Sequence, residues 1–340
     1  MFFIMYKYNY ILFNSYDNKL KIDRNGYYTI CAQELETSPS IRVVSYPLDI
    51  YPYWIRLLFA IHHSEKIARY IKLPFKKLWY PYYFKNNFEE KKPICFVILN
   101  RFLPIEYLSY LKKKYPDCRI VLLHRDLLKV CKRFNPELSQ NPILDLEMTY
   151  DKGEAQLYDI PYFSEFESSI DILKEKIMES DVFFAGKAKD RLPQLMEAYK
   201  VFTKSGLKCN FYLIGVPINE QKELPGVKYA SCFMSYKEML YHTVNTRCVL
   251  EINQGGSNGY TSRFLESVIY GKKLITNNFV IKESKYYSPD KIMVVNRMSD
   301  IDPSFVTNGD DFVDYNYDGG FSPFKVISRI EEELNKKYGK

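Results

Sequence analysis

The chain has no apolar run near the roughly 18 residues that a bilayer-spanning helix needs; its longest such stretches are WIRLLFAI (54–61) and ICFVIL (94–99). No membrane-crossing segment is expected. Glycine is scarce, with 14 in 340 residues, so a cluster of it carries information. The seven cysteines include no CxxC pair and the four histidines lack metal-ligand spacing. A zinc centre is therefore not expected, and the thiols read as reduced ones of a cytoplasmic protein. Also missing are a Walker loop (GxxxxGK followed by Ser or Thr) and a GxGxxG fingerprint after a first strand, which excludes the commonest nucleotide signatures. There is no RNP-type or Gly-Arg motif, which counts against nucleic acid. Asp300-Ile301-Asp302 follows no continuous buried strand and reads as a loop, not as a metal-binding Asp-x-Asp; the acidic run 308–318 lacks the EF-hand pattern. No metal and no resident cofactor is expected.

What is present is a globular composition, 46% hydrophobic and 26% charged, at a length suited to two domains. The apolar N-terminus, without a charged start or a small-residue cleavage site, reads as leading into a first strand and not as a signal peptide. The net charge of +7 is unevenly placed. Residues 56–133 hold 18 Lys/Arg against 6 Asp/Glu, which is +12 and leaves about −5 for the rest. Within that basic half, KLPFKKLWYPYYFKNNFEEKK (72–92) alternates cations with aromatics. A solvated face, an anionic membrane surface and a single-stranded nucleic-acid site all have that pattern. The expected partner is the membrane, with the protein cytoplasmic and peripheral on its inner face.

The second half alternates strands and helices. Strands are expected at 181–186, 208–216, 227–232, 246–252 and 273–278, and helices from Pro193 to Gly206, over 235–245, and over 261–271. The first half follows a looser version, with strands at 8–15, 40–48, 93–99 and 118–126 and a helix at 104–116. This predicts an α/β protein of two Rossmann-like doubly wound domains facing across a cleft. The boundaries are 1–168, 169–321, and a helix at 322–340 that crosses back to the first domain.

One stretch asks for a ligand. QGGSNGYTSRFLES (254–267) leaves a buried strand, spends three glycines in five residues, and begins a helix. A hairpin at Asn258-Gly259 and a ligand-free structural turn are the plain alternatives. The helical period that follows argues instead for an anion at a helix N-terminus, where glycines allow close backbone approach and Thr261 both caps and donates. Glu266, one turn on, is expected to face the loop and accept ribose hydroxyls. A second cluster, Lys187, Lys189 and Arg191, follows the strand at 181–186 and falls on the same sheet edge if crossovers are right-handed. Together they suit a nucleoside diphosphate.

These pieces, with TYDKGEAQLYDIPYF (149–163), SYKEML (235–240), CVLEINQGGSNGYTSRFLESVIYGKKLITNN (248–278) and FSPFKVISRIEEEL (321–334), resemble the GT-B glycosyltransferases, more narrowly bacterial enzymes of capsule and lipopolysaccharide O-chain synthesis. The resemblance implies a nucleotide-sugar donor and a growing glycan acceptor carried on a lipid. In the family's Glu-x7-Glu element Glu266 takes the second position, and Asn258 stands at the first, so retention or inversion stays open. The resemblance places the family's Lys/Arg pair on the diphosphate, here Lys187 and Arg191, and backbone near Tyr236 by the base; Lys189, Gly256, Asn258, Gly259, Tyr260, Thr261 and Arg263 are the further candidates for holding the donor. In the first domain His124 and Asp126 end a strand where such enzymes touch sugar or acceptor. A catalytically inert partner of another transferase, a nucleotide-binding module and a single-stranded nucleic-acid binder remain the alternatives.

Overall fold

The computed structural model describes residues 6–14, 26–44, 48, 51–64, 67, 70–71, 73–99, 103–134, 136–172, 179–253 and 259–339. The chain forms two compact units, one of Met1–Ser164 with Ser322–Lys340 and one of Glu165–Phe321.

The first unit holds five strands: β1 (Asn9–Phe13), β2 (Ile41–Val44), β3 (Ile94–Ile98), β4 (Arg119–His124) and β5 (Leu146–Thr149). They lie in the order β2-β1-β3-β4-β5, and every pairing is parallel. All five residues of β1 and of β3 are buried, as in a parallel sheet covered on both faces. The many aromatics fill this core: Phe13 stacks on Phe96 with centroids 6.1 Å apart and meets Tyr107 edge-on at 5.8 Å.

Helices of this unit include α1 (Tyr27–Cys31), α2 (Tyr53–His62), α3 (Ile105–Lys114), α4 (Leu128–Phe134) and α5 (Lys152–Tyr158). α3 carries Glu106 in its first turn and Lys112, Lys113 and Lys114 in its last, the polarity that suits the helix dipole. β5 and α5 were not expected from the sequence.

In the second unit β6 (Ser180–Lys187), β7 (Cys209–Ile214), β8 (Val227–Ala230), β9 (Thr246–Glu251), β10 (Lys273–Thr276) and β11 (Ile292–Val294) form a six-stranded parallel sheet. Its order is β8-β7-β6-β9-β10-β11, which is the 3-2-1-4-5-6 order of the dinucleotide-binding fold. Its helices include α6 (Leu192–Lys204), α7 (Tyr236–Val244), α8 (Ser262–Ile269) and the short α9 (Ser304–Thr307). α6 has Pro193 in its first turn and buries Leu195, Ala198, Tyr199 and Phe202, the face its spacing predicts. Gly271, at φ +62, turns the chain out of α8; a Cβ there would stand 2.2 Å from the Phe312 ring, so no other residue fits without moving it.

The chain ends in α10 (Pro323–Tyr338), which is capped by Ser322, starts with Pro323, and buries Val326, Ile327, Ile330 and Leu334. It counts with the first unit. No helix among the described residues is long and apolar enough to cross a membrane.

Candidate functional site

In a doubly wound sheet the ligand crevice opens where the strand order reverses. In the second unit that point lies between β6 and β9, which are hydrogen-bonded neighbours. Their carboxyl ends release the two segments singled out in the sequence, so the sheet topology brings these together.

Arg191 spans the gap. Its Nη1 donates to the Ile252 carbonyl at 2.6 Å, beyond the end of β9, and its Nη2 donates to the Lys187 carbonyl at the end of β6. Its Nε–H is buried and has no hydrogen-bond partner among the described residues, a costly condition for a cationic donor. Burial lowers the Arg191 pKa; Asp190 opposes this, Arg263 adds to it as a like charge, and Glu251 opposes it.

Arg263, in the first turn of α8, is the second guanidinium. Its Nη1 donates to both carboxylate oxygens of Glu266, at 2.9 and 2.8 Å, and its Nη2 to the Ala185 carbonyl on β6 at 2.9 Å. Tyr236, at the start of α7, donates its hydroxyl to Glu266 Oε1 at 2.9 Å. Glu266 is wholly buried. Burial raises its carboxyl pKa, while Arg263 and Tyr236 pull the other way. The Glu266 carboxylate, expected to face the loop, is thus buried and accepts three hydrogen bonds from two groups, Arg263 Nη1 and the Tyr236 hydroxyl; residues 254–258 of the loop lie outside the described ones. The helical period placed it one turn from the loop but gave no sign that Arg263, three residues earlier, would fold over it.

Thr261 caps α8, its hydroxyl accepting from the Phe264 N–H at 3.4 Å, and donates its proton to Glu251 Oε1. Glu251, buried at the end of β9, also accepts from Thr276 at 2.7 Å. Burial raises its pKa against those two hydroxyls. The donor role expected of Thr261 toward a phosphate is taken up by Glu251. Cross-braces close the frame: Asn253 N–H donates to Asn277 Oδ1 at 2.6 Å, and Asn278 Nδ2 to the Gly259 carbonyl at 3.1 Å. Glu251, Asn277 and Asn278 escaped the sequence reading, although a glutamate ending the apolar run CVLEI was a usable signal.

Of the other expected residues, Gly256, Asn258 and the side chain of Lys189 lie outside the described ones. Lys187 is exposed, its Nζ 5.5 Å from the Phe233 ring centroid. Gly259 is buried, and Tyr260 is half-buried against Phe264 with centroids 5.0 Å apart. The arrangement is thus two guanidiniums fixed near the ends of adjacent strands beside a helix N-terminus. Such a frame can hold a polyanion without reorganising. Among the described residues no group of His, Cys, Asp or Glu is disposed to hold a metal ion.

In the first unit His124 ends β4, buried, with Nε2 2.6 Å from Glu147 Oε1. Glu147 also accepts from Ser139 at 2.7 Å and from the Gln140 N–H at 2.8 Å. Burial alone would raise the Glu147 pKa, but His124, Ser139 and Gln140 outweigh it and hold it below the usual value of 4.5. Asp126 is exposed, two residues before α4, whose first N–H, from Leu128, donates to Glu154 at 2.8 Å. A depressed carboxyl stabilises the fold above its unfolded pKa, and that stability is lost as pH falls through the folded value. Glu147→Gln should therefore flatten the loss of stability below about pH 4.5 while lowering stability at neutral pH. Denaturant midpoints against pH test this, and parallel curves for parent and variant would refute it.

No protein-family model matches the chain, and no curated protein matches it. Solved structures resemble it at low identity. One is an alpha-glucosyltransferase in complex with UDP and a 13-mer DNA containing a HMU base, at 10% identity over 96% of this chain and 94% of that one, TM-score 0.48. A beta-glucosyltransferase of T4 phage aligns at 13% identity over 97% and 95%, TM-score 0.39. The Glycosylation Associate Protein (Gap123) complex from Streptococcus agalactiae aligns at 12% over 81% of this chain and 60% of that one, TM-score 0.43. The likeness is one of chain path alone.

Proposed function

We propose that the chain is a glycosyltransferase of the GT-B kind, moving a sugar from a nucleotide-sugar donor to a growing surface polysaccharide held on a lipid carrier. The observation that carries this is the β6/β9 edge, where Arg191, whose buried Nε–H has no partner among the described residues, and Arg263 stand together beside the N-terminus of α8. Bond cleavage leaves negative charge on the departing diphosphate. Fixed guanidiniums and a helix dipole stabilise that charge, the task a metal performs elsewhere, so the reaction runs without one. Glu266 serves by holding Arg263. His124 and Asp126 are the first unit's candidates for contact with sugar or acceptor.

The test is thermal stabilisation by UDP, GDP, CDP, TDP and AMP, with and without Mg²⁺. A site filled at 100 times its Kd adds about 2.7 kcal/mol, and one diphosphate should do so without metal. Arg191→Ala should then cut sugar transfer or donor hydrolysis about 100-fold, as loss of one transition-state donor does. Activity within threefold of the parent would exclude that role for Arg191. The engaged Glu266 favours one second reading, a nucleotide-binding but catalytically inert partner of another transferase. It predicts stabilisation by the diphosphate with no donor hydrolysis.

A further inference from the structure

Ten of the fifteen large apolar side chains standing exposed among the described residues fall between Tyr53 and Tyr82. On α2 they are Tyr53, Trp54, Leu57, Leu58 and Ile61, between 40% and 70% exposed. The spacing i, i+1, i+4, i+5, i+8 puts them on one face. The opposite face anchors the helix through Phe59, which is 2% exposed. Phe75, Leu78 and Tyr82, in or next to the helical turn Lys76–Tyr82, are equally bare, at 73%, 70% and 44%.

The two groups adjoin. Trp79 Nε1 donates to His62 Nδ1 at 2.8 Å, and the His62 Nε2–H in turn donates to the Pro74 carbonyl at 2.7 Å. The Phe59 and Trp79 rings meet at 5.4 Å, and Tyr51 and Tyr82 at 5.7 Å. His62 and His63 therefore sit in this seam, His63 against Phe59 at 4.1 Å. The basic-aromatic segment 72–92 splits in consequence. Trp79, Tyr80, Tyr83 and Phe84 turn inward, and α2, upstream of the segment, supplies five of the ten bare side chains. Phe75 adopts φ +65, strained for a side chain of its size, and still points its ring to solvent.

Charge decides what covers the patch. Residues 51–88 hold seven Lys/Arg and one acidic residue, Glu65, and Lys76, Lys77 and Lys85 are exposed. Protein interface cores are depleted of lysine. Lysine set among Trp, Tyr and Leu is the composition of a surface that meets anionic headgroups. We propose that α2 and the turn Lys76–Tyr82 form a seat on an anionic lipid bilayer, with Trp54, Leu58 and Phe75 entering the headgroup layer and Lys76 and Lys77 meeting lipid phosphates. This stands apart from the transferase reading, since the assay contains no nucleotide.

The experiment is co-sedimentation of the full chain with vesicles of phosphatidylglycerol and phosphatidylethanolamine, against vesicles of phosphatidylcholine. Partition should be at least about tenfold stronger on the anionic vesicles and weaken with salt. Trp54→Glu with Leu58→Glu should lower it about tenfold or more with an unchanged melting temperature, since both side chains are exposed. Lys76→Glu with Lys77→Glu leaves the apolar face intact and should lower binding to anionic vesicles alone, again about tenfold. Equal partition on both vesicle types, or both variants binding like the parent, overturns the proposal. So does a parent that ignores vesicles but sediments as a dimer that Trp54→Glu with Leu58→Glu dissolves, for the patch is then a seam between copies.

Discussion

Arg263→Met should destabilise the second unit by about 3 kcal/mol, the lower end of the range for removing one partner of a buried ion pair, because Arg263 keeps 19% of its side chain exposed. The substitution keeps the aliphatic reach but strips both Nη donors. Glu266 has no exposure and keeps, among the described residues, only the Tyr236 hydroxyl, and the Ala185 carbonyl loses the Arg263 donor. The carboxyl, already raised by burial, then rises further. The pH dependence follows in sign. A group with a raised folded pKa contributes stability that is complete below its unfolded value and lost as pH climbs toward the folded one. The variant should stand nearest the parent in acid and fall furthest behind at neutral pH. Adding Glu266→Gln removes the stranded charge and should recover most of the loss, since pairs replaced together are often neutral. Denaturant midpoints of the two variants across pH decide it. A single variant as stable as the parent at neutral pH, or a double variant no better than the single, would mean that the pair does not hold α8 to β6. The functional consequence separates too: if Glu266 acts through Arg263, the recovered double variant still fails to bind a nucleoside diphosphate.

Much of this was legible before the fold. The apolar runs alternating with 3.6-period segments marked nearly every strand and helix of the second unit, because its central strands β6, β9 and β10 are largely buried on both faces and are bounded by turn residues. The glycine stretch and the 187–191 cations were placed on one edge by the handedness of crossovers, and the strands that precede them, β6 and β9, are neighbours in the sheet. β5 was not legible, because LEMT is four residues long with Glu147 in its middle, and its identity as a strand comes from pairing with β4. Partners were harder still. Period assigns a residue to a face, but it does not say that Arg263 will cover Glu266, that Glu251 will collect two threonine hydroxyls, or that aromatics in a basic segment will divide between core and surface.

The second large loss should come from Asp145→Ala, at about 3 kcal/mol, although nothing in the sequence marked this residue. Asp145 is 7% exposed at the entry to β5. Its Oδ2 accepts from Lys112 Nζ on α3 at 2.5 Å and from the Ile120 N–H on β4 at 2.7 Å; its Oδ1 accepts from the Tyr338 hydroxyl at 3.1 Å and lies 3.7 Å from Arg119. The Asp145 carbonyl takes Lys337 Nζ at 2.8 Å, and the Arg119 guanidinium lies 4.1 Å from the centroid of the Tyr338 ring. One carboxylate thus joins α3, β4 and the last turn of α10. Alanine leaves a backbone N–H without its acceptor, and two cations lose their counter-charge. Asp145→Asn keeps one acceptor oxygen, enough for the Ile120 N–H, but loses the second oxygen that takes the Tyr338 hydroxyl and loses the charge, so it should lose about half as much. The loss should also be local, with backbone amides at the end of α10 exchanging faster in Asp145→Ala while those of β9 and β10 stay as in the parent. Protection lost equally in both units would mean that the substitution acts on global stability and that Asp145 is not the particular fastening of α10. Unchanged protection at the end of α10 would place its attachment in the burial of Ile327, Ile330 and Leu334 alone, where Leu334→Ala, at a wholly buried site, costs about 2–5 kcal/mol.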